Sequence, residues 1–169
     1  MFDDYKYLIL THGVPGSGKS TFVANCFGNR SDTNIICPDN LREEFNDYKE
    51  EWKDNFEYEI WKRVDERLKK SLVENRITVL DATFIHRQAI LRQYKTMNQI
   101  DPTIKFIIVD FSDLSLEHCL ENNRKRRDSG GRFVPEDVIE KMYNKIKRTK
   151  LLEFEKMTIS HNDLGWLMK

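Results

Sequence analysis

Gly13-Val14-Pro15-Gly16-Ser17-Gly18-Lys19-Ser20 fills the pattern G-x-x-x-x-G-K-[ST] without a mismatch. Such a run carries chemistry when a strand enters it and a helix leaves it. Lys6-Tyr7-Leu8-Ile9-Leu10-Thr11 reads as a buried strand, and Ser20 to Phe27 sets Phe22, Val23, Cys26 and Phe27 at helical spacing. In that setting the glycines let backbone N–H groups converge on phosphate oxygens. The Lys19 ammonium adds a cation at the β- and γ-phosphates, and the Ser20 hydroxyl is a magnesium ligand. Gly13, Pro15, Gly16, Ser17, Gly18, Lys19, Ser20 and Thr21 are the expected nucleotide-binding residues. ATP and Mg²⁺ are the expected ligands.

Outward from this loop, Thr33 to Cys37, Arg76 to Leu80 and Thr103 to Phe111 are further strand-like runs. Helical patterns separate them. Trp52, Phe56, Ile60, Val64, Leu68 and Leu72 form an apolar stripe that predicts one long helix with its core face along those residues. Ala89, Ile90, Tyr94 and Met97 mark another helix, and Leu116, Cys119 and Leu120 begin a third. Pro135 sits in the first turn of a helix whose apolar face is Val138, Ile139, Met142 and Ile146. Lys156 to Ser160 suggests an edge strand. Strands alternating with helices imply an α/β fold with right-handed crossovers, a parallel sheet of about four to five strands flanked by helices. One domain over 1–169 is expected, with 122–134 as a helical lid.

Composition narrows the class without choosing a substrate. The 169 residues are 39% hydrophobic and 33% charged, and 28 basic residues balance 28 acidic ones. No global basic field advertises nucleic acid, so any such affinity needs a local patch. Cys26, Cys37 and Cys119 are three widely spaced thiols without a C-x-x-C pair, as expected of a reduced, cytoplasmic protein. Acidic residues follow Met1, and no apolar run has membrane-spanning length. The four histidines form no metal or triad pattern, which favours structural or surface roles for them. The apolar end Gly165-Trp166-Leu167-Met168 is a segment that could dock on the core or on another subunit.

In a parallel sheet the residues just past the strand ends share one rim, so the loop, Asp39 and Asp81 should converge. Asp39 either caps a helix containing Leu41 and Phe45 or serves as a base, with Arg42 on the same helical face as an anion anchor. Asp81 either caps the helix starting near Ile85 or holds the magnesium hydration shell. Asp110 is the weaker competitor for that metal. Asn122 to Arg132 concentrates cations before Gly130 and Gly131, which suits a lid that neutralises a transferring phosphoryl group. A solvated helix end is its plainer reading.

Gly13 to Ser20, Asp39-x-x-Arg42, Asp81-Ala82-Thr83, Asn123-Arg124-Lys125-Arg126, and Val134-Pro135 with Met142-Tyr143 together resemble the kinase domain of the bacteriophage polynucleotide 5'-hydroxyl kinases. The resemblance runs over about residues 6 to 150 in matching order. It implies transfer of the ATP γ-phosphate to a 5'-hydroxyl end of DNA or RNA. On that footing Asp39 is the general base, Arg42 holds the acceptor's phosphate, and Lys19 and Ser20 hold the ATP–magnesium unit. Arg126 then serves the donor phosphates, with Arg124 or Arg127 as substitutes, while Asp81 and Thr83 serve the acceptor and Asp81 the metal. The chain departs from the pattern in three ways. Asn122 stands where the family has a second lid arginine, no D-x-D-G-T phosphatase motif follows, and there is no basic excess. These departures imply a kinase-only chain and leave a nucleoside or other small-molecule kinase, or a non-catalytic NTP-binding switch, as alternatives.

Overall fold

The computed structural model describes residues 5–166, with side chains to Asp163. In chain order the elements are β1 (Tyr7–His12), α1 (Lys19–Phe27), β2 (Thr33–Ile36), α2 (Pro38–Glu44), α3 (Lys49–Trp52) and α4 (Phe56–Glu74). Then follow β3 (Ile77–Leu80), α5 (Arg87–Ile100), β4 (Lys105–Asp110), α6 (Leu116–Asp128), α7 (Glu136–Ile146) and β5 (Thr158–Ser160). The strands make one sheet in the order β2-β3-β1-β4-β5, and every pairing is parallel.

Helices cover both faces, which explains why Leu8, Ile9 and Leu10 of β1 are consecutive apolar residues, all buried, instead of alternating with polar ones. Leu8 and Leu10 pack with Ile60, Val64 and Leu68 of α4 and Ile90 and Met97 of α5, whereas Ile9 packs with Val23 and Phe27 of α1. A third cluster of Val14, Cys119, Leu120, Ile139 and Ile146 fastens the glycine loop to α6 and α7. Each fully buried aliphatic side chain stabilises the fold by about 1.5–3 kcal/mol, so the loop is anchored by core packing on its α6 side.

Two expectations are corrected. The stripe from Trp52 to Leu72 is not one helix, because Lys53 at φ 42° separates α3 from α4. Its aromatic packing nevertheless continues across the break, with the Trp52 and Phe56 rings 5.8 Å apart. The segment 122–134 is the end of α6, which runs to Asp128, followed by an irregular stretch that turns at Gly130, at φ 77°. Pro135 sits one residue before α7, at its N-cap, and not in the first turn. Leu167 and Met168 of the apolar end lie outside the described residues, as does the side chain of Trp166. Among the described residues, no helix is long and apolar enough to cross a membrane.

Candidate active site

Between β1 and α1 the chain must turn sharply while keeping its backbone N–H groups pointed at one place. Gly16 at φ 82° and Gly18 at φ 88° supply that turn, in a region that L side chains avoid. Gly18 is the N-cap of α1, so the donors of the helix's first turn face the loop's concave side. A Cβ on Gly16 would meet the Cys119 carbonyl oxygen at 2.1 Å, which shows how closely the loop lies against α6. Asn122 holds that contact by donating from Nδ2 to Gly16 O at 2.9 Å. Lys19, the first residue of α1, is buried and donates from Nζ to Val14 O at 2.7 Å.

The sheet register places the acidic residues. Leu80 lies level with Leu10 on β1 and Ile36 on β2, and the Asp81 N–H donates to Ile36 O at 2.9 Å. Asp81 is buried, with Oδ1 3.3 Å from Thr11 Oγ1, and Thr11 Oγ1 also accepts the Ala82 N–H at 3.2 Å. Thr83 joins the loop by accepting the Gly13 N–H at 3.2 Å. Asp81 does not cap a helix: α5 starts at Arg87 with His86 in the N-cap position. Asp39 is not the cap of α2 either. Cys37 takes the N-cap position and Pro38 the first turn, which leaves the Asp39 carboxylate for side-chain partners. Its Oδ1 accepts from Arg42 Nη1 at 2.6 Å and is ion-paired with Arg132. Arg42 is anchored on its other side by Glu57, with Nε and Nη2 each 2.8 Å from a carboxylate oxygen.

These groups line one cleft of about 660 Å³. Pro15, Gly16, Gly18, Lys19, Ser20 and Thr21 line it from the loop and α1, Asp81, Ala82 and Thr83 from the end of β3, and Cys37, Pro38, Asp39 and Arg42 from the end of β2 and α2. Asn122, Arg126 and Arg132 border it from α6 and the stretch beyond, and Trp61, Val134, Val138 and Met142 add apolar surface. Arg124 and Arg127, expected at the phosphates, are not among the lining residues. Arg124 is held by Glu136 at 2.7 Å and by Glu117 at 3.1 Å, and Arg127 pairs with Asp128 and covers the Phe133 ring. Asp110 is also elsewhere engaged, accepting from the Ser112 N–H and hydroxyl at 2.9 Å.

Arg132 and Trp61 were not singled out from sequence. The signal for Trp61 was an aromatic one position off the buried stripe of α4. Arg132 differs from its basic neighbours only by following the glycines.

Burial dominates the electrostatics. It pulls the Lys19 ammonium down to about 8, against the pull of Asp81, Cys119 and Asp39, while Arg126 adds a smaller lowering. The Glu57 hydrogen bonds raise Arg42 above the usual guanidinium range, and Arg42 in turn holds the Glu57 carboxyl below its usual one. His12, next to the loop, is buried and held below its ordinary value by that burial, and its Nδ1–H donates to Phe84 O at 2.8 Å.

A central strand of a parallel sheet that runs through a left-handed glycine turn into a helix headed by a buried lysine belongs to the P-loop nucleotide-binding proteins, here in the kinase fold. More narrowly, a protein-family model described as an AAA domain matches residues 8–149, and the chain belongs to that family.

Among solved structures, one of the Pnkp1/Rnl/Hen1 RNA repair complex is similar at 23% identity and a TM-score of 0.71. The match covers 87% of this chain and 46% of that one, so this chain spans less than half of that relative's length. A gluconokinase from Sinorhizobium meliloti 1021 is similar at 18% identity over 94% of this chain and 83% of that one, with a TM-score of 0.56. The tunicamycin resistance protein of Deinococcus radiodurans is 14% identical over 95% and 88% of the two chains, also with a TM-score of 0.56. At these identities the likeness is one of fold.

Proposed function

We propose that the protein transfers the γ-phosphate of ATP to the 5'-hydroxyl end of DNA or RNA, with Asp39 as general base. The observation that carries this reading is the shared cleft. Lys19 and the glycine loop line the same cleft as Asp39 and Arg42, and Asp39 is near enough to act on the Lys19 charge. A donor phosphate on the loop and an acceptor hydroxyl at Asp39 would face each other, and phosphoryl transfer needs positioning and charge neutralisation above all. In the proposed step the acceptor oxygen bonds to the γ-phosphorus, the bond from that phosphorus to the β-bridging oxygen breaks, and Asp39 takes the hydroxyl proton. ADP leaves, and the proton passes to solvent.

The residues fit magnesium as well as nucleotide. Among the described residues no cluster of three or more His, Cys, Asp or Glu could hold a metal. A hydrated Mg²⁺ held through substrate phosphates needs only one or two protein ligands, and Ser20 and Asp81 both line the cleft. Bound there, the ion would neutralise charge on the phosphates. Arg126, whose Nη2 donates to Asn123 Oδ1 at 3.2 Å, is the cleft arginine nearest in sequence to the loop-supporting Asn122 and is assigned to the donor phosphates.

A nucleic-acid end as acceptor is supported by the motif order and by the likeness to a component of an RNA repair complex. A small-molecule hydroxyl is the second reading, supported by the absence of net charge and by the gluconokinase likeness over 94% of the chain. The test is incubation with γ-labelled ATP, magnesium and a panel of 5'-hydroxyl RNA and DNA oligonucleotides, nucleosides and sugar acids. Label on oligonucleotides is expected. Label confined to a small molecule would transfer the reading to the second class, and no label on any acceptor would remove both.

A further inference from the structure

We propose that Arg132 is a second anion-binding residue on the acceptor side, parked on Asp39 until a phosphate next to the reacting hydroxyl takes its guanidinium. The inference rests on the reading of Asp39 as the base of a kinase cleft. Arg42 and Arg132 both reach the same Asp39 oxygen, Oδ1. An oxygen of a carboxylate offers about two lone-pair sites, so on that oxygen the two guanidiniums leave no place for a substrate hydroxyl. One of them must move for Oδ1 to accept a proton.

The two arginines are not equally free to do so. Arg42 lies on α2, its side chain is 28% exposed, and two further hydrogen bonds at 2.8 Å lock it to Glu57. Arg132 lies on the irregular stretch between α6 and α7, two residues after Gly130, and its side chain is 50% exposed. Among the described residues its ion-pair partner is Asp39. Arg132 is therefore the one that leaves.

What draws it away follows from charge and shape. A phosphate presents oxygens that match the guanidinium fork in two parallel hydrogen bonds and carries at least as much charge as the carboxylate it replaces. Arg42 has Nε and Nη2 engaged by Glu57 and Nη1 by Asp39, so it meets a phosphate from a fixed position, whereas Arg132 can turn its whole fork to the anion. An acceptor with a phosphate beside its hydroxyl thus binds and frees Oδ1 of the base in one event. An uncharged nucleoside leaves Arg132 where it is. The site then selects acceptors by an anion adjacent to the reacting hydroxyl.

The test is calorimetric binding of adenosine 3'-monophosphate and of adenosine to wild type, Arg132→Ala and Arg132→Lys, followed by transfer assays with γ-labelled ATP. Wild type should prefer the phosphorylated ligand. Arg132→Ala should shrink that preference about tenfold, the loss expected of a charged hydrogen bond, and Arg132→Lys should restore part of it. The acceptor KM should rise by a similar factor in Arg132→Ala, with the KM for ATP moving less than about twofold. An undiminished preference in Arg132→Ala, binding of neither ligand by wild type, or a loss that falls on ATP would each overturn the proposal. An Arg132-dependent preference without any transfer would keep the anion site and remove the kinase reading. Transfer with an undiminished preference would do the reverse.

Discussion

Replacing Gly16 by alanine should cost far more than the same change at Gly18, although their φ values, 82° and 88°, are nearly equal. Both substitutions force an L residue into the left-handed region, at about 1–2 kcal/mol. The surroundings differ. A Cβ at Gly18 meets nothing within 4 Å, whereas at Gly16 it meets Cys119 O at 2.1 Å, Cys119 C at 3.0 Å and Cys119 Cα at 3.2 Å. An ordinary carbon–oxygen contact is about 3.3 Å, so the loop and α6 would have to separate by about 1 Å. They cannot do so freely, because Val14, Cys119 and Leu120 are packed together and Asn122 is bonded to Gly16 O. Overpacking of this kind costs about 1–3 kcal/mol, which brings Gly16→Ala to roughly 2–5 kcal/mol. Urea unfolding of wild type and both variants, without nucleotide, measures the difference directly. Equal destabilisation of the two variants, within about 0.5 kcal/mol, would refute the claim that the loop's position depends on its contact with α6.

Asp39→Asn should abolish phosphoryl transfer while ATP still binds, since the loop wall is untouched; turnover that persists would remove Asp39 as the base, a single-turnover assay being sufficient. Lys19 titrates at about 8 in the fold and near 10.5 when unfolded, so between those values the unfolded chain holds more proton. Stability should therefore rise with pH across that window, by up to about 3 kcal/mol, with the burial penalty in full force below pH 8. The unfolding free energy of wild type relative to Lys19→Met, followed from pH 8 to 10.5, should climb, and a flat difference would contradict a buried ammonium. Asn123→Ala should cost about 1–3 kcal/mol and slow transfer, because fully buried Asn123 donates to Val134 O at 2.8 Å, accepts the Val134 N–H at 3.1 Å and accepts from Arg126. Thermal melts paired with initial rates would check both effects. Glu57→Gln should raise the acceptor KM several-fold by loosening Arg42; an unchanged KM would show that Arg42 does not need that anchor.

How much of the site was legible depended on how local its causes were. Gly13 to Ser20 could be read without a fold, since the need for left-handed backbone and for a strand and helix on either side is written in adjacent residues. Asp39 and Arg42 were legible as a pair because three residues on a helix bring side chains together, and the pair is observed at 2.6 Å. The arginines of 124–132 were not legible in the same way. Of their partners, Glu117, Asn123 and Asp128 lie on α6 itself, whereas Glu136 and Asp39 become neighbours only through the tertiary packing of α6 beside α7 and the loop. A run of like charges gives no indication of which member will be neutralised elsewhere. The helix predicted through Trp52 failed for a related reason: packing periodicity reports a shared face, and rings 5.8 Å apart keep that face across a break in the backbone.

The sequence by itself determined that the chain holds a phosphate-binding turn between the first strand and first helix of a parallel α/β fold, because glycine placement and apolar periodicity are short-range properties. The tertiary structure decided which charged groups share the cleft. Strand order β2-β3-β1-β4-β5 and the level ends of β2 and β3 bring Asp39 and Asp81 to the loop, and the packing of α6 and α7 on Val14 turns Arg126 and Arg132 inward while Arg124 and Arg127 are held outside. Those choices come from burying apolar surface between segments far apart in the chain, and no stretch of neighbouring residues encodes them.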